Sequence, residues 1–87
     1  MEIFYSPQFE REYRRLSFDV KEKIKKKERI FRENPFDPRL KTHKLHGRLD
    51  RFCAFSVDYR FRIIFGFLGE KKVRFHAVDD HSVYERF

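Results

Sequence analysis

Cysteine, tryptophan, glycine and proline are scarce in this chain: one Cys, no Trp, three Gly and three Pro in 87 residues. Cys53 stands alone, so an internal disulfide and a Cys-rich zinc site are both excluded, as expected in a reducing compartment. With so few glycines there is no Gly-rich phosphate loop, and neither a His-Glu-x-x-His pair nor a G-x-S-x-G elbow occurs. ATPases, hydride-transfer enzymes and the common hydrolases are thereby set aside. No apolar run approaches the roughly 20 residues of a membrane span. Met1-Glu2-Ile3-Phe4-Tyr5 begins with an acidic residue and soon reaches Ser6-Pro7, unlike a secretory signal. A cytoplasmic protein with no membrane partner is expected. Asn34 and Gln8 are the only side-chain amides, whereas Lys, Arg and Glu abound, a bias of heat-adapted proteins.

The chain is rich in rings and in charge. Apolar residues make up 40% and aromatics 18%, with twelve Phe, enough for the single core that a chain of this length can build. One domain spanning residues 1–87 is expected. Lys and Arg number 21 against 14 Asp and Glu, a net charge of +7, which attracts polyanions such as RNA, DNA or an acidic protein.

Ile3-Phe4-Tyr5 reads as a short strand ending at Ser6-Pro7, where serine as N-cap and proline at the first helical position start a helix. Phe9, Tyr13 and Leu16 give that helix one apolar stripe, ending near Ser17. Asp19 followed by Glu22 resembles a capping box and predicts a second helix, with Val20, Ile24, Ile30 and Phe31 inward and Asn34-Pro35 as its stop. The basic run 21–29 on it is most simply a solvated face. Residues 35–50 show no steady period and read as an irregular connection. Residues 52–57, 61–68 and 72–78 read as an antiparallel meander. In its middle strand Phe61, Ile63, Phe65 and Phe67 share one face and Arg62, Ile64, Gly66 and Leu68 the other. In the last, Val73, Phe75 and Ala77 oppose Arg74, His76 and Val78. Residues 79–87 form a helical turn or a tail. The expected fold is α+β, in the order β-α-α-β-β-β: two N-terminal helices on one face of a small antiparallel or mixed sheet of about four strands.

His43-x-x-His46 could supply two metal ligands, but no third or fourth stands at a recognisable spacing, so neither a metal nor a cofactor is expected. From residue 39 onward His, Arg, Lys and Tyr concentrate. Cleaving RNA through its own 2′-hydroxyl needs a base, an acid and cations around the phosphorane, and in principle no metal. Histidine can carry the proton near neutrality, and the arginine fork grips phosphate oxygens.

Leu40-Lys41-Thr42-His43-Lys44-Leu45-His46-Gly47, Phe55-Ser56-Val57-Asp58-Tyr59-Arg60-Phe61-Arg62-Ile63-Ile64-Phe65 and His81-Ser82-Val83-Tyr84 resemble the RelE/ParE toxin superfamily of type II toxin–antitoxin modules. The resemblance implies helices on one sheet face and a catalytic concavity on the other. It implies a metal-independent endoribonuclease that cuts messenger RNA, ribosome-associated, leaving a 2′,3′-cyclic phosphate and a 5′-hydroxyl. It also implies a cognate antitoxin that wraps the toxin, and acidic segments suit a basic chain. ParE-like members keep the fold and inhibit DNA gyrase, so a non-nuclease toxin and an inactive antitoxin-binding homologue stand as alternatives.

Carried over residue by residue, Arg62 matches the arginine set against the scissile phosphate, and Tyr84 the C-terminal tyrosine that positions the nucleotide. His81 lies where YafQ- and YoeB-like nucleases carry a histidine; His43 resembles the YafQ-like loop histidine, and His46 stands where RelE has an arginine. These five form the expected catalytic set, with Lys41, Lys44, Arg48, Arg60 and Arg74 as the RNA-binding surround. Ala54 and Ser56 depart from the pattern, standing where RelE carries two lysines, as does Arg60, where some relatives are acidic. Each residue also has a plainer role: Arg62 could snorkel or meet a carboxylate, Tyr84 could cap the core, and His81 could pair with Asp79 or Asp80.

Overall fold

The computed structural model describes residues 1–80 and 82–86. Its elements are β1 (Glu2–Tyr5), α1 (Pro7–Arg14), α2 (Phe18–Glu33), β2 (His43–Lys44), β3 (Cys53–Ser56), β4 (Arg62–Gly69), β5 (Lys72–Asp79) and α3 (Val83–Arg86), with 3-10 turns at Pro38–Leu40 and Gly47–Leu49. Five strands, not about four, form one sheet in the order β1-β5-β4-β3-β2. β1 runs parallel to β5 and the other pairs are antiparallel, so the sheet is mixed. The additional strand, β2, lies inside the stretch read as irregular. Two residues paired with Cys53 and Ala54 are too few to display a period.

Helix starts follow local chemistry. Ser6 Oγ accepts from Phe9 N at 3.0 Å, and Pro7, which has no N–H to satisfy, follows it. The same hydroxyl donates to His76 O at 2.9 Å and ties α1 to β5. α2 is capped by Ser17, whose Oγ accepts from Val20 N at 3.3 Å, and not by Asp19. A serine two residues upstream already satisfies a free N–H, so Asp19 falls in the first turn, where its charge suits the helix dipole.

α1 and α2 cover one sheet face. There Phe31 of α2 meets Phe55, Phe65 and Phe75 at centroid distances of 5.1, 4.9 and 5.2 Å, and all four rings are fully buried. Ile3, Phe9, Ile24, Leu40, Val57, Phe61, Ile63, Val73 and Val78 complete this core. A smaller cluster of Leu45, Leu49, Ala54, Ile64, Ala77 and Val83 forms on the opposite face.

Strict alternation fails in β5. Ile64 pairs with Ala77 but Phe65 with Phe75, leaving His76 as the extra residue of a bulge. Beyond it the faces exchange: Val78 joins the helix-side core and Ala77 the opposite face, the reverse of the simple pattern.

Candidate functional site

Residues directly opposite one another in neighbouring strands put their side chains on the same face. The face away from the helices therefore carries three rows. Ser56, Arg62 and Asp79 form the first, and His43, Ala54, Ile64 and Ala77 the second. Arg74 and Gly66 form the third, where a side chain on Gly66 would meet the Phe52 ring at 3.3 Å. Leu45 and Leu49 from the connecting loop and Val83 of α3 close over the middle row.

Arg62 is half-buried at the start of β4. Its Nη1 donates to Asp58 O and, at 3.0 Å, to Phe61 O, and its guanidinium lies close enough to Tyr84 to act on the phenol electrostatically. The bonds described for it thus go to two backbone carbonyls, with no carboxylate among them. A guanidinium has five N–H donors, so part of the fork is left for an anion. Burial pushes the Tyr84 phenol above its ordinary range and Arg62 pulls against that shift, leaving Tyr84 a neutral hydroxyl near pH 7. α3 is held in turn by Arg48, whose Nη2 donates to Tyr84 O at 3.0 Å.

The β3–β4 turn behind Arg62 is organised by Asp58. Its carboxylate accepts from Arg60 N at 2.9 Å and Phe61 N at 2.8 Å and pairs with Lys23 at 3.1 Å. Burial raises the affinity of Asp58 for its proton, but the Phe61 and Arg60 amides and Lys23 outweigh it and hold the carboxyl below its usual range. Ser56 Oγ donates to Asp58 O at 2.7 Å, the same carbonyl that Arg62 uses.

The structure brings Arg62, Tyr84 and Arg48 together, with His43 and Arg74 on the same face. His43 lies exposed on β2, its Nδ1 3.2 Å from Lys41 O, and His46 lies exposed just before the second 3-10 turn. Lys41 is exposed in a left-handed conformation (φ 52°) after the first 3-10 turn. Two residues fall elsewhere. Lys44 pairs with Cys53, whose side chain packs on the helix-side core, so Lys44 leaves by that face. Arg60 lies 5.1 Å over the ring of Phe61, itself part of the helix-side core. His81 lies outside the described residues.

Two contributors stand outside the expected catalytic and RNA-binding sets. Asp58 stands two and three residues before the amides it accepts from, the Asx-turn spacing that could have marked it. His76 is half-buried, 5.0 Å edge-on to Phe52, and held below the ordinary histidine range by burial and then by Arg74. Alternation along β5 already sets it on the face of Arg74, and the bulge there reverses only Ala77 and Val78. Among the described residues no three His, Cys, Asp or Glu side chains are grouped to hold a metal ion, and no helix is long and apolar enough to cross a membrane.

On the other side of the molecule, Tyr5, Phe9, Tyr13 and Ile24, with Glu10, Arg14, Lys25 and Glu28, line a cavity of about 400 Å³. Burial and a hydrogen bond to Glu28 push the Tyr5 phenol up to about 12.

This fold recurs in solved structures of YoeB and YafQ. The chain is similar to a YoeB/ParE toxin from Agrobacterium tumefaciens: TM-score 0.79, 18% identity, covering 93% of this chain and 99% of that one. It is similar to YafQ from E. coli, with TM-score 0.73 and 21% identity over 95% and 96% of the two chains. It also resembles a chain of the YoeB–YefM complex from Staphylococcus aureus, with TM-score 0.76 and 16% identity over 93% and 97%. At these identities the likeness is one of fold. No family model and no curated protein matches the chain.

Proposed function

We propose that this chain is the toxin of a toxin–antitoxin pair and that the face carrying Arg62 cleaves messenger RNA. The observation that supports this most is the held guanidinium: Arg62 is fixed by two backbone carbonyls and lies beside the neutral Tyr84 phenol, on the sheet face away from α1 and α2. In this reading Arg62 grips a non-bridging oxygen of the scissile phosphate and stabilises the charge that grows as the substrate's 2′-hydroxyl attacks. One histidine of His43, His46 and His81 takes the 2′-proton and another returns a proton to the departing 5′-oxygen. Tyr84 orients the nucleotide, and Lys41 and Arg74 draw in the backbone. The products are a 2′,3′-cyclic phosphate and a 5′-hydroxyl, and no metal takes part.

A charge of +7 favours ribosomal and messenger RNA and equally an acidic antitoxin segment. The Staphylococcus neighbour was solved as a YoeB–YefM complex, which supports an antitoxin partner for this chain too. The test is induction in a host cell with mapping of messenger-RNA 5′ ends. New 5′-hydroxyl ends that vanish in Arg62→Ala and Tyr84→Ala support the nuclease; growth arrest with intact messages would transfer the proposal to a protein-inhibiting toxin.

A further inference from the structure

Tyr59 is the most exposed large apolar side chain described, with 86% of its surface in water. Phe36 and Phe67, at 59% and 48%, at least lie against each other, 6.1 Å between centroids and nearly parallel. Tyr59 has no such ring partner among the described residues. Its backbone, in contrast, is unusually well held. Asp58 O belongs to the peptide unit that carries the Tyr59 nitrogen, and it accepts from both Ser56 Oγ and Arg62 Nη1. The Asp58 carboxylate clamps the two following amides and the Lys23 ammonium. A rigid turn thus presents a bare ring one peptide unit from the guanidinium of Arg62.

Single-stranded RNA is read by rings of this kind, because every base has a face to stack and a preorganised ring loses little entropy on binding. Resting on the nuclease reading above, we propose that Tyr59 is a stacking platform for the base flanking the phosphate held by Arg62. Tyr59 and Tyr84 then bracket the arginine, and single-stranded RNA crosses the face between them.

The test uses the purified chain and a short 2′-O-methyl RNA, which cannot be cut, carrying 2-aminopurine at successive positions. Stacking on an aromatic ring quenches this probe. Wild type and Tyr59→Phe are expected to quench it at one position. Tyr59→Ala is expected to lose that quenching and to bind about 5- to 100-fold more weakly, the loss of one stacked base. Phe36→Ala, an exposed ring elsewhere, serves as control and is expected to bind as wild type. If Tyr59→Ala binds and quenches like wild type while Arg62→Ala is weakened, the platform is overturned and the RNA reading stands. If wild-type protein binds no RNA, both fall together.

Discussion

β3, β4 and β5 turn Phe55, Phe65 and Phe75 toward α2 on one side of the sheet and Ala54, Ser56, Gly66 and Ala77 away from it on the other. On the first side large rings interlock around Phe31. On the second, small residues leave the space in which Arg62 is braced and α3 can lie close. On this account stability concentrates on the helix side and the proposed chemistry lies on the other, and substitutions should separate the two.

The largest effect is expected from Phe31→Ala. Emptying the centre of four contacting rings costs about 3–5 kcal/mol, a large share of the roughly 5–15 kcal/mol that holds a domain together. Urea unfolding measures it, and a loss under about 1 kcal/mol would place the stability elsewhere. Gly66→Val comes next. Its Cβ would lie 3.3 Å from the Phe52 ring, so the added methyls must displace Phe52 and His76. Overpacking of this kind costs about 1–3 kcal/mol, and RNA cleavage should fall with it; a neutral result would mean that this face is not closely packed. Arg48→Ala removes the donor to Tyr84 O at a cost of about 1 kcal/mol or less. Its sharper signature is expected to be slower cleavage at nearly unchanged melting temperature, since α3 carries Tyr84.

The smallest effects are with pH, and they have opposite signs on the two faces. Tyr5, on the helix side, keeps its proton to about 12 when folded against 10.0 ordinarily. The folded state thus binds more protons in that window, and stability falls as pH rises from 10.0 toward 12. His76, on the other face, has a lowered folded value, so the unfolded chain takes up its proton first and stability falls as pH drops below about 6.5. Tyr5→Phe should flatten only the alkaline arm of a stability–pH curve and His76→Phe only the acid arm. Either substitution acting on the other arm would break the assignment.

Much of this arrangement is legible in the sequence, because it is written in local patterns. Ser6-Pro7 starts α1, the spacing of Phe9 and Tyr13 marks its inner stripe, and the three C-terminal strands appear as the expected meander. Arg62 and Tyr84, singled out from separate segments, lie near enough for the guanidinium to act on the phenol. What could not be read is non-local. β2 exists only because Cys53 and Ala54 offer it partners. The bulge at His76 arises from how β5 meets β4, and it reverses the faces of Ala77 and Val78. Lys44 and Arg60 look like members of one basic patch in the sequence, yet pairing with Cys53 and packing on Phe61 take them away from Arg62.

The most direct measurement is the rate at which purified chain cuts a messenger RNA on a programmed ribosome, for wild type and Arg62→Ala, with each protein's melting temperature taken alongside. The account predicts a drop of about 100-fold or more, as for loss of one charge-stabilising donor, with melting temperatures within a few degrees of each other. Equal cleavage by the two proteins would contradict it, as would a slow variant that had simply lost its fold.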